Sequence, residues 1–237
     1  LIKKSGCIPI EKNDGLALAD FVSIHLPLNE DTKNFISQKE LDLMKEKTIL
    51  LIAEAGVNHN GDISIALELV DAAKQAGADF VKFQTFSSKA MVSSTASLAE
   101  YQRQGVGHFK NQKEMLQALE LNYDDHFLLK DYCEKKEIGF LSTPFDLPSL
   151  DLLVTELGRK VIKIGSGDLN NGPLLYASAN AGVEIILSTG MSSLAQIELS
   201  LGLLALGYEG EKTKNIDRES MRAAWRNPSS REILNDK

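Results

Sequence analysis

Five times between residues 48 and 206, a short apolar run passes through a polar tip into residues at helical spacing. No other feature limits the fold so strongly. The runs fall at 48–53, 78–84, 139–145, 161–164 and 183–187. The helical patterns after them fall at 62–76, 113–121 with 124–136, 148–157, 173–181 and 193–206. Gly77, Gly158 and Gly182 close helices where a left-handed residue is wanted. The apolar runs are nearly continuous rather than alternating, which predicts strands covered on both faces in a parallel sheet. A doubly wound sheet and a (β/α)8 barrel both satisfy this order, and in both the ligand chemistry gathers at the carboxyl ends of the strands. A complete barrel normally takes about 250 residues and eight units; here the pattern supplies five in a chain of 237 residues.

Ahead of the first unit, residues 19–28 alternate apolar and polar side chains and stop near Pro27, as a strand does at its exit. Ser37 and Glu40 have capping-box spacing, and Lys45 and Lys47 fall in the last turn of the helix they predict. With the run at 48–53 this makes one βαβ unit. Residues 85–112 form a long Ser/Thr/Gly-rich segment around Tyr101, of the length that compact domains use for lids and binding loops. Residues 207–237 are charged, with Trp225 and Pro228 as their anchors, and predict no further unit.

The formal charge of −7 argues against nucleic acid and anionic membranes, which require a basic face, but leaves room for a small anionic substrate. Cys7 and Cys133 are far apart and fit no CxxC pattern, as in a reduced, cytoplasmic chain. No apolar run approaches the roughly 18 residues that span a bilayer. The first residue is Leu1, so the chain is expected not to begin at a native start.

The strand tips share one chemical theme: Glu54; Lys82 and Gln84; Ser142 and Thr143; Lys163 with Ser166 and Asp168; Ser188 and Thr189. Lysines followed by hydroxyls and glycines offer a phosphate ammonium charge, O–H donors and open backbone N–H groups. A single lysine near a strand end is ordinarily a snorkelling surface residue, and Ser-Thr-Gly is ordinarily a turn. Repetition at four consecutive exits is what points to an anion. His59, in the Asn-His-Asn-Gly turn after Glu54, reads as a hydrogen-bonded loop residue. His25, His108 and His126 are too scattered to join it in a metal cluster.

The segments IAEAGVNHNGD, GADFVKFQTF, FLSTPFD, KIGSGDLNN and ILSTGMSSL, in this order, resemble the sialic acid synthase family over residues 49–237. The resemblance implies a (β/α)8 TIM barrel, followed in full-length members by a small antifreeze-like domain. It implies condensation of phosphoenolpyruvate with an N-acetylated hexosamine of the N-acetylmannosamine type, release of phosphate, a divalent manganese or magnesium ion, and a homodimer. Carried onto this chain, it implies that Lys82, Thr143, Lys163, Ser166 and Ser188 hold phosphoenolpyruvate. Gln84 and Asp168 would contact the sugar, and Glu54 would be the catalytic carboxylate. Asp168 stands where many relatives carry Glu, one bond shorter in reach.

The family's metal ligands are histidines on later strands, which this chain is expected to lack, so the resemblance gives the metal no ligand here. The expected fold is an incomplete barrel of about five βα units over residues 48–237, poorly soluble or oligomeric through its open edges and inactive alone. Residues 1–47, chiefly 17–50, resemble a fragment of the D-2-hydroxyacid dehydrogenase nucleotide-binding domain, a Rossmann-like βαβ piece. It lacks GxGxxG, so no NAD is expected to bind. The run at 48–53 is claimed by both pieces. An NAD-dependent dehydrogenase remnant, a non-catalytic phosphate-binding module and an aldolase are the rival readings.

Overall fold

The structure is a computed structural model and describes residues 11–14, 50–91, 109, 111–210 and 216–235. The strand at 19–28, the helix after Ser37, the start of the 48–53 run and most of the 85–112 segment lie outside the described residues, as do Cys7, His25 and His108. By compactness the chain divides into Leu1–Leu51 and Ile52–Lys237. In the first unit, residues 12–14 are helical.

The second unit alternates strand and helix, and its strands pair in parallel. Strand β1 (Ile52–Gly56) leads to helix α1 (Ile63–Gln75), and β2 (Phe80–Thr85) to a short helix α2 (Ser88–Met91). Helices α3 (Gln112–Leu119) and α4 (Tyr123–Lys135) precede β3 (Gly139–Pro144). Helix α5 (Leu147–Asp151) continues as a π turn (Leu152–Glu156) into β4 (Val161–Ile164) and a 3-10 turn (Ser166–Asp168). Helix α6 (Gly172–Asn180), β5 (Glu184–Leu187), α7 (Leu194–Glu209), α8 (Arg218–Arg226) and α9 (Pro228–Asn235) complete it. The strands form two parallel sheets, β1-β2-β3 and β4-β5. Strand β4 runs beside β3 with Cα atoms within 8 Å.

Side-chain caps fix most helix starts. Asp62, Asn111, Asn122, Asp146, Ser193 and Asp217 each accept a backbone N–H from the first turn. Asn122, Ser193 and Asp217 form reciprocal capping boxes.

Two apolar clusters lie between sheets and helices. Val70, Val81, Phe83, Leu129, Phe140 and Leu153 fill the first; Ile162, Ile164, Leu174, Leu175 and Leu203 fill the second. Burial along β2 and β4 alternates between full and partial. On these two strands the expectation of cover on both faces does not hold, whereas β3 is buried along nearly its whole length.

Three more expectations change. The first strand begins at Ile52, where its ladder with β2 starts at the Ile52–Phe80 pair, and it extends to Gly56. Helix α7 does not stop near Leu206 but runs through Gly207 to a left-handed cap at Gly210. Gly207 is there for close packing: a Cβ on it would lie 2.6 Å from the Ala179 Cβ of α6. The charged tail folds into α8 and α9, because Ala224, Met221 and Leu234 find an apolar seat against α7. Scattered apolar residues among so many charges gave no continuous stripe to read.

Candidate functional site

Parity along the ladders decides which strand-end side chains meet. Residues in register on adjacent strands point to the same face. Glu54 pairs with Lys82 and Lys82 with Leu141, while Gln84 pairs with Thr143. Glu54, Lys82, Gln84 and Thr143 therefore share one face of the first sheet. Across it, Lys82 Nζ and the Glu54 carboxylate form an ion pair, with Lys82 mostly covered and Glu54 half exposed.

The register slips between Glu54 and Gly56, so Ala55 is an extra residue in β1. The bulge brings Gly56 to φ +55° beneath the carboxylate. A Cβ added at Gly56 would lie 3.1 Å from Glu54 Oε1 and 3.6 Å from Gln84 Nε2. Glycine here meets both demands, the left-handed backbone and the close approach.

On the second sheet, Lys163 Nζ donates to Ser188 Oγ. Ser188 extends the ladder past Leu187, its N–H donating to the Ile164 carbonyl at 3.0 Å. Burial pushes the Lys163 ammonium below its ordinary pKa; the Lys82 charge pushes the same way and Glu54 opposes both. Lys163, Lys82 and Glu54 thus share one electrostatic neighbourhood although they lie on two sheets.

Ser166 and Asp168 sit further out, in the 3-10 turn. Ser166 Oγ would lie 3.6 Å from a Cβ on Gly190. Asp168 accepts a 3.1 Å hydrogen bond from Asn171 Nδ2, and Asn171 also caps α6. Among the described residues, the contacts shown for these two are with the turn and with Gly190 rather than with the lysines.

Ser142 belongs to the strand-exit theme in the sequence but not in space. It pairs with Phe83, so it turns to the helix side, where its hydroxyl meets Thr85 Oγ1 at 2.7 Å. Counting parity from Thr143 would have shown this. Asn171 and Asp146 escaped notice as well. Asp146 takes the Ser87 N–H at 2.7 Å and the Ser149 N–H at 2.8 Å, tying the exit of β2 to the start of α5. Its signal was a lone Asp two residues before Pro148, the usual opening of a helix.

Among the described residues, no group of three or more His, Cys, Asp or Glu side chains could hold a metal ion. A cleft of about 520 Å³ lined by Leu175, Leu203, Met221, Arg218 and Arg222 contains none of the ten strand-tip residues. No described helix is long and apolar enough to cross a membrane.

Comparison with known proteins places the chain among sugar-acid synthase relatives. N,N'-diacetyllegionaminic acid synthase of Campylobacter jejuni is 48% identical over 170 residues, 72% of this chain and 50% of that protein. The Legionella pneumophila protein of the same name is 47% identical over 154 residues, 65% of this chain and 43% of that protein. The chain thus spans about half the length of the curated relatives it matches. The crystal structure of N-acetylneuraminic acid (sialic acid) synthetase from Leptospira borgpetersenii in complex with citrate superposes with a TM-score of 0.57 at 34% identity. That match covers 69% of this chain and 52% of that one. Residues 2–100 match the NAD binding domain of D-isomer specific 2-hydroxyacid dehydrogenases. Residues 69–221, more than half of the chain, match the NeuB family model, and the chain belongs to the NeuB family.

Proposed function

We propose that the strand-end residues form the phosphoenolpyruvate-binding part of a sugar-acid synthase, on an arc of five strands from a (β/α)8 barrel. One observation carries the reading: two lysines from different sheets lie in a single electrostatic neighbourhood, one against a carboxylate and the other against a hydroxyl. Two ammonium groups so close repel each other, and an anion carrying both phosphate and carboxylate relieves that repulsion. In this reading Lys82, Lys163, Ser166, Ser188 and Thr143 hold phosphoenolpyruvate. Gln84, against Gly56, and Asp168, steadied by Asn171, face the acceptor sugar.

The reaction is the condensation of phosphoenolpyruvate with an acylated amino hexose. Enolpyruvate C3 bonds to the aldehyde carbon, water adds at C2, and the C2–O bond to phosphate breaks. Glu54 is the carboxylate that takes the proton of the adding water, and Lys163 steadies the departing phosphate. The higher identity to the two diacetyllegionaminic acid synthases favours a diacetamido hexose over N-acetylmannosamine as acceptor.

Calorimetric titration of the chain with phosphoenolpyruvate tests the reading. Saturable binding that Lys163→Glu abolishes is the expected result, and binding unaffected by that change would overturn it. Turnover is read separately, as phosphate release that requires both phosphoenolpyruvate and an amino sugar. The match over residues 2–100 supports a second reading, a dinucleotide site. The turn between β1 and α1 reads Gly56-Val-Asn-His-Asn-Gly61 and offers no GxGxxG cradle for a pyrophosphate, so titration with NADH is expected to give no heat of binding.

A further inference from the structure

His59 is 1% exposed and His126 3% exposed, and each ends in a buried ring nitrogen, Nε2, that makes no hydrogen bond of ordinary geometry among the described residues, although the Gly56 backbone lies near enough to the His59 ring to favour its charged form. Buried polar atoms are nearly always paired, so two such orphans in one region call for a reason. Their other nitrogens define the tautomers. The Gly61 N–H donates to His59 Nδ1 at 3.0 Å, so the neutral ring of His59 carries its proton on Nε2. His126 Nδ1 donates to the Asn122 carbonyl at 2.9 Å, so its Nε2 is a bare lone pair. One orphan is a donor and the other an acceptor, and a charge on His126 would oppose one on His59.

The setting is a joint between two parts of the candidate site. His59 lies in the β1–α1 turn, its ring 6.1 Å from that of Phe83 on β2. Gly61 in the same turn is pressed on the end of α3, where an added Cβ would lie 2.4 Å from the Ala118 carbonyl oxygen. His126 is in the first turn of α4. The charged groups that face the pair are Glu120, from the corner between α3 and α4, and Asp125, from α4. Glu120 is engaged with the Ser88 N–H and Asp125 with the capping box.

We infer that His59 and His126 form a clasp of neutral imidazoles that seats the β1–α1 turn, and with it the Glu54 end of β1, on the corner between α3 and α4, and that opens when either ring takes up a proton. Burial holds both rings below the ordinary histidine pKa of 6.5; the opposing pulls of the Gly56 backbone and Asp125 on His59, and of the Asn122 carbonyl, Asp125 and Glu120 on His126, do not overcome it. The clasp is a property of the chain whatever the strand ends bind.

Amide hydrogen exchange of the whole chain tests it. An open ring titrates near 6.5 while a closed one stays neutral below that. Moving from pH 7.5 to 5.5, corrected for intrinsic exchange, should raise opening of residues 57–62 about tenfold per ring. Residues 172–180 of α6 should stay unchanged. His126→Asn keeps a donor for the Asn122 carbonyl but cannot titrate, so it should lose one of the two tenfold steps. His59→Asn keeps an acceptor for the Gly61 N–H and should lose the other, and the double variant should lose the acid response altogether. Protection of 57–62 that is flat with pH in the unmodified chain, or an acid response that the double variant retains in full, would overturn the proposal. Imidazole nitrogen chemical shifts supply a readout that needs no variant: both rings neutral at pH 6 supports it, and either ring half-protonated at pH 6.5 or above refutes it.

Discussion

Lys163 and Ser188 meet at the end of the β4–β5 ladder, ammonium to hydroxyl, with the lysine half-buried. A charge held in place before any ligand arrives loses little freedom on binding one. Lys163→Met should weaken phosphoenolpyruvate binding about 10- to 100-fold, the range for a lost hydrogen bond to a charged group of roughly 1.5–3 kcal/mol. The pH dependence has a definite sign. The protonated lysine binds the anion and its pKa is lowered, so affinity should fall on the alkaline side at a lower pH than a lysine of pKa 10.5 would give. Titration calorimetry from pH 7 to 10 reads both effects, and an affinity that Lys163→Met leaves intact would remove this residue from the site.

Thr85 and Ser142 join β2 to β3 behind the site, where both hydroxyls are buried. Ser142→Ala strands the Thr85 hydroxyl and should destabilise the fold by about 1–3 kcal/mol. Adding Thr85→Val removes the stranded group, so the double variant should be more stable than the sum of the two single losses predicts. Urea midpoints for the four chains measure the coupling. Strict additivity would mean that the hydroxyls do not interact.

Gly202, in the middle of α7, lies where α8 crosses. A Cβ there would fall 1.9 Å from the Met221 carbonyl oxygen. In an open helix Gly→Ala adds up to about 1 kcal/mol of stability; here it should remove about 1–3 kcal/mol, because the helices are forced apart. Thermal unfolding decides the sign. A raised midpoint would show that α8 is not held against α7.

Cys133 sits on the buried face of α4, and burial pushes its thiol up to about 12. With Cys7→Ser removing the other thiol, a thiolate-directed reagent at pH 8 should label Cys133 only through unfolding. The labelling rate should rise steeply with urea and level off past the unfolding midpoint. Rapid labelling without urea would show that the core around Leu129 and Phe140 opens locally.

The alternation of strands and helices was legible because a buried strand and an amphipathic helix each leave a period in the sequence. Caps such as Asn122 and Ser193 leave a local signal as well, since each side chain lies three residues from its partner. The face that each strand end presents was not. Thr143 and Ser142 are chemically alike neighbours, and only the ladder with β2 tells which of them turns toward Lys82. The same holds for Gly207, which looks like a helix terminator until α6 is seen against it. The burial of His59 depends on Phe83 and on the end of α3, neither of which is local to its turn.

Along β2 and β3 the two kinds of work are separated by parity. Val81, Phe83, Thr85, Phe140 and Ser142 hold the helices, while Lys82, Gln84 and Thr143 face the other way. Stability and recognition are therefore written on alternate letters of one short text. A lineage can revise the second set to suit a new anion or sugar without touching the first. It can gain heat tolerance by revising the first while the chemistry one residue away stays the same.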